Sequence, residues 1–94
     1  MNITQSDITA NIRSVEYVKH VSHSGQVLRW AVITTASGFA AVGAPSVAVS
    51  SENDNEEIGR DVAYENSRQT LWPLMGYQLK EQMYQMKQPA QAPV

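Results

Sequence analysis

The chain has 94 residues, 43% of them hydrophobic, too short for two ordinary domains and too apolar for a disordered chain. Its formal charge is −2, from seven basic and nine acidic residues, and six of the acids fall between Glu52 and Glu65. That balance lacks the basic stripe long nucleic acid requires, and no apolar run approaches the roughly 18 residues of a membrane span. The start, MNITQSDITAN, has neither the basic residues nor the apolar stretch of a signal peptide, so a soluble intracellular protein is expected. There is no cysteine, hence no disulfide or thiolate metal site to reinforce a core that is marginal at this size. Self-association is the expected remedy.

In chain order, residues 4–12 predict a short helix, capped by Thr4 or Ser6, with Ile8 and Ile12 on one face. Val15–Val21 alternates, with Val15, Tyr17 and Val21 on one side and Glu16 and His20 on the other, as a half-exposed strand does. Ser22–Gly25 supplies turn residues. Val27–Thr35 is β-branched and apolar on both faces at its middle, which predicts a central strand. Gly38 is placed to take positive φ in the next turn, before a third strand, Phe39–Ala44, ended by Pro45. Residues 45–53 read as a connector with one extended turn at Val47–Val49.

A helix is then expected from a capping box of Asp54 and Glu57, with Ile58, Val62, Ala63, Asn66, Thr70 and Leu71 forming its buried row. Pro73 marks a break and suits the first turn of a further helix, in which Leu74, Met75, Leu79, Met83 and Met86 share one face. The expected architecture is one α+β domain over residues 1–87. It is a three-stranded antiparallel meander with a short N-terminal helix and two C-terminal helices packed on it, followed by a disordered tail at 88–94.

No catalytic constellation is legible. There is no nucleophilic cysteine and no G-x-S-x-G turn, and the five glycines form no phosphate loop. His20 and His23 read as surface residues flanking a hairpin rather than metal ligands, and Glu56, Glu57, Asp61 and Glu65 as solvated acids favoured by a helix start. A non-enzymatic protein without cofactor or metal is expected. Two features remain. Asn66 falls on an otherwise apolar row, where its amide must find partners, either within the fold or on a ligand. Tyr77, beside the Trp72-Pro73-Leu74 cluster, offers an aromatic face with a hydroxyl. Arg29, Arg60, Arg68 and Lys80 are the cations best placed, on regular elements, to receive phosphates.

Several motifs occur together from the central strand onward: Ser37-Gly38-Phe39 and Gly43, Glu57-Ile58-Gly59-Arg60, Ala63-Tyr64-Glu65-Asn66, and Leu71-Trp72-Pro73-Leu74-Met75-Gly76-Tyr77-Gln78-Leu79. In these, residues 27–84 resemble a family of small tailed-phage and prophage proteins of the gene-49/gene-66 type. The resemblance implies kinship with anti-Thoeris sponges, which sequester glycocyclic ADP-ribose without cleaving it. It implies a homo-oligomer, a dimer or a trimer of dimers, that blocks host defence in the cytoplasm of the infected bacterium by holding that signal or cyclic oligonucleotides. The pyrophosphate would then meet Arg60, Arg68, Lys80 or Arg29, and the base and ribose would meet Asn66 and Tyr77. Related sequences carry an aromatic residue just before the Glu-Ile-Gly-Arg segment, where this chain has Ser51-Glu52-Asn53-Asp54-Asn55. The alternative is an accessory protein that binds a host or phage protein through its methionine-rich helix face.

Overall fold

A computed structural model describes residues 2–88. The elements are α1 (Gln5–Ala10), β1 (Ile12–Val21), β2 (Val27–Thr35), β3 (Ala40–Val42), β4 (Ser46–Ala48), a 3-10 turn (Ser51–Asn53), α2 (Glu56–Gln69) and α3 (Leu71–Lys87). The α+β class, the N-terminal helix and the antiparallel sheet match expectation. The strand count does not, and the expected tail lies, apart from Gln88, outside the described residues.

β2 is the hub of the sheet. β1 pairs with it antiparallel along one side, from Val21↔Val27 to Ile12↔Thr35. On its other side β3 pairs at Val32↔Val42 through Thr34↔Ala40, and β4 pairs at Val27↔Ala48 through Arg29↔Ser46. Between those two pairings β2 advances from Val32 to Arg29 while the edge strand advances from Val42 to Ser46, one residue more. The edge strand is thus split by a one-residue bulge around Gly43–Pro45. The expected connector after Pro45 is therefore a fourth strand: on a sheet edge, proline's missing N–H interrupts no ladder.

Local chemistry sets the other boundaries. α1 starts in a reciprocal cap, in which the Asp7 N–H donates to Thr4 Oγ1 (3.2 Å) and the Thr4 N–H donates to the Asp7 carboxylate (2.8 Å). It stops at Asn11, whose carbonyl accepts the Ala36 N–H (3.0 Å). Ile12, expected on the helix, instead opens β1. The hairpin and the β2–β3 turn each hinge on a left-handed glycine, Gly25 (φ 89°) and Gly38 (φ 92°). α2 is capped by Asn55, whose Oδ1 accepts the Ile58 N–H (3.0 Å), and not by Asp54, which is engaged elsewhere. α2 ends at Thr70, and Pro73 sits in the first turn of α3, where no N–H is needed. Trp72 is therefore helical, where the sequence placed a break.

The core is Ile8, Ile33, Ala41 and Leu71, ringed by Ile3, Ile12, Val15, Tyr64, Trp72 and Met75. The helices cover one sheet face, the one bearing Val27, Arg29, Ala31, Ile33 and Thr35, all buried. α2 is rotated relative to the expected row. Its buried residues are Ala63, Ser67 and Arg68, whereas Ile58 is 61% and Val62 44% exposed. Gly59, Ala63 and Ser67 recur every four residues, and this stripe of small residues lets the helix backbone approach β2 closely. α3 docks only by its start. Leu71 is buried, Leu74 is exposed outside the row assigned to it, and every residue from Lys80 to Gln88 except Met83 is exposed.

Candidate functional site

The first turn of α2 lies over β2 and creates two hollows, one on each side of the Asp54–Asn55 corner. Gly59 makes the close approach possible. A Cβ there would stand 2.8 Å from the Arg29 Cδ and 3.3 Å from Ser46 Oγ. Arg29 runs beneath the helix through that space and donates from Nε and Nη2 to the Asp54 carboxylate. The hydrogen bond to Arg29 holds the Asp54 carboxyl below its usual range, and the same bond raises Arg29 further above its own. The pair ties the segment before α2 to the central strand.

On the β4 side lies a groove of about 590 Å³. Pro45, Val47, Val49, Ile58 and Val62 supply its apolar lining, and Ser46, Asn53, Asp54 and Asn55 its polar groups. Its size suits a small ligand, and apolar walls with a few fixed amides are what such sites present. Toward β1 lies a more open cleft of about 730 Å³, lined by Tyr17, Glu56, Glu57, Arg60 and Asp61 among others. Arg60 stands over the Tyr17 ring, 5.1 Å from its centre, and pairs with Glu56 at 3.0 Å. Its acids oppose an anion, so the groove suits an apolar group better, and the cleft offers a single cation, Arg60, at its lip.

The six residues singled out from the sequence are not brought together. Arg29 is committed to Asp54. Arg68 is buried, and its Nη2 donates to the Gln5 carbonyl (3.3 Å) and to Thr9 Oγ1 (3.1 Å), clasping α1. Asn66 Nδ2 donates to the Ala44 carbonyl (3.0 Å) at the break in the edge strand. Arg60 is at the cleft, while Tyr77 (70% exposed) and Lys80 stand on α3. The groove residues were missed because Ile58 and Val62 read as core and Val47–Val49 as connector. The signal that could have found them is the four-residue repeat of Gly59, Ala63 and Ser67, which turns the bulkier face outward. Among the described residues no three His, Asp or Glu side chains gather to hold a metal ion, and no helix is long and apolar enough to cross a membrane.

Residues 3–83 match the Phage protein (N4 Gp49/phage Sf6 gene 66) family. The chain belongs to that family. No curated protein and no solved structure matches it. The match covers α1, the whole sheet, α2 and most of α3, so both hollows lie inside the shared region.

Proposed function

We propose that this phage-family protein is a non-enzymatic sponge. It binds a small cyclic nucleotide-type signal, glycocyclic ADP-ribose or a cyclic oligonucleotide, and so blocks host anti-phage defence in the infected cell. The observation that carries the reading is the groove between β4 and α2, with aliphatic walls for a base and the Asn53 and Asn55 amides to hydrogen-bond its edge. In this reading Arg60, around the corner at the lip of the cleft, meets a phosphate. Lys80 and Tyr77 reach the ligand only from the α3 of another copy, which makes the working unit a homo-oligomer. Arg29 and Arg68 keep the frame, since turning either toward a ligand would leave internal acceptors without a donor.

The test is titration calorimetry with glycocyclic ADP-ribose and with cyclic di- and trinucleotides, followed by heat release and mass measurement of what was bound. Intact ligand is expected back. The Ile58→Asp variant is expected to weaken binding by about tenfold or more, the worth of one buried aliphatic side chain. A protein that binds none of these, or returns a cleaved product, is not a sponge of this kind. A second reading, an accessory protein docking through α3, is favoured by the exposure of Tyr84 (55%) and Met86 (79%) on that helix. It predicts capture of another protein with α3 buried in the contact.

A further inference from the structure

β1 is an edge strand, paired with β2 along one side only. The hairpin fixes which backbone groups its other side leaves open. The Ser22 N–H donates to the Gln26 carbonyl (2.9 Å), and bonded and non-bonded pairs alternate along an antiparallel ladder. The register runs unbroken from Val21↔Val27 to Ser14↔Thr34. Glu16, Val18 and His20 therefore bond β2, whereas Val15, Tyr17, Lys19 and Val21 turn both N–H and C=O outward. These groups have no protein partner among the described residues. They form a row about 20 Å long.

The two edges of the sheet differ. The far edge is split by a bulge, made of two three-residue strands, and tied down by Ser67 and Asn66 of α2. Those are ordinary protections against strand addition. Between Val15 and Val21 there is no proline, no glycine and no register shift, and Lys19 is the sole lysine.

An added strand would send alternate side chains to opposite faces. On the helix face it would border the cleft between Tyr17 and α2, whose lining includes Glu57 and Asp61. Neither acid has a basic partner among the described residues, since Arg60 pairs with Glu56 and Arg29 with Asp54. On the other face it would lie beside Val18, which stands opposite the half-buried Trp30. Alternating donors and acceptors at strand spacing are matched by extended backbone, not by a docked helix. A second copy fits poorly. Antiparallel pairing of β1 with itself would set both α2 helices on one face and turn Glu57 and Asp61 of each toward those of the other.

We propose that the β1 edge receives an extended segment of a partner protein as an added strand. Lysine or arginine at alternate positions faces the acids of α2, and apolar residues between them lie against Val18 and toward Trp30. The groove between β4 and α2 has no β1 residue in its lining, so this contact stands or falls independently of the sponge reading.

The probe is a synthetic peptide of lysine and valine in strict alternation, capped at both ends and matched in length to Val15–Val21. It is titrated into the full-length protein, with calorimetry and amide hydrogen exchange as readouts. One-to-one binding is expected, with exchange slowed at the Val15, Tyr17, Lys19 and Val21 amides, which should exchange freely in the protein alone. Replacing the peptide's lysines by glutamate should weaken binding about fivefold at low ionic strength. Glu57→Lys combined with Asp61→Lys should reverse that preference. Lys19→Pro removes an outward N–H that β2 does not use and should weaken binding about tenfold, with circular dichroism confirming the fold. A lysine–valine peptide N-methylated on its β1-facing amides tests the same ladder on the native protein and should not bind. Failure of the lysine peptide to bind, equal binding of the glutamate or N-methylated peptide, or no added protection at the four amides overturns the proposal. So does protection of those amides in the protein alone, since the edge is then already taken.

Discussion

Ser67 is the residue on which helix and sheet meet. Its hydroxyl donates to the Ala31 carbonyl of β2 (2.6 Å) and accepts the Gly43 N–H from the break in the edge strand (2.9 Å). Ser67→Ala leaves two backbone groups without this partner, and a loss of about 1–3 kcal/mol in urea unfolding is expected. Gly43 is the reciprocal requirement: a Cβ there would fall 2.3 Å from the Asn66 carbonyl oxygen and 2.7 Å from the Ser67 nitrogen. The Arg29–Asp54 pair gives a pH signature. Because Asp54 is held below its ordinary value in the fold, its contribution is complete above the unfolded value of about 3.9 and fades as pH falls through the lower folded value. Arg29, raised further, stays charged throughout. Asp54→Asn is therefore expected to lower the melting temperature at neutral pH and to flatten its decline on the acid side, as followed by calorimetry between pH 7 and 2.

At the scale of elements, the rotation of α2 inverts the usual ranking of substitutions. Ile58, the most apolar residue of its first turn, is expected to tolerate aspartate with a change of about 0.5 kcal/mol or less, because it is exposed in the folded chain. Ala63→Leu, which adds bulk at a fully buried position, is expected to cost about 1–3 kcal/mol. Denaturant midpoints of the two variants decide this. The contrast also explains what the sequence could and could not disclose. β2 was legible from its run of β-branched residues, α1 from Thr4, and the turns from Gly25 and Gly38, since each signal is local and chemical. The buried face of α2 was not, because hydrophobicity points to Ile58 and Val62 whereas close approach selects Gly59, Ala63 and Ser67. β4 was hidden behind Pro45, whose harm to a strand vanishes on an edge. Asn66 was legible as a polar group needing a partner. That the partner is the Ala44 carbonyl depends on a bulge no local pattern announces.

For the molecule as a whole, helices lie on one side of the sheet only. The other side, with Val18, Leu28, Trp30, Val32 and Val42 on it by register, carries no helix among the described residues, and Val42 is 50% exposed there. The protein therefore has one packed layer, and α2 is its keystone against β2, β3 and β4. β3 and β4 are three residues each, too short to persist as an independent ribbon. What joins them across the bulge is Ser67 and Asn66, both on the helix. Lifting α2 would release this edge, while the nine-residue pairing of β1 with β2 could survive it. Native-state hydrogen exchange should show the Ala41 and Ala48 amides, opposite Ile33 and Val27 of β2, opening in step with α2, and the β1–β2 ladder holding longer. A molecule so arranged melts as two neighbourhoods, and the groove, lined wholly by the edge strand and the α2 segment that leave together, would vanish before the hairpin does.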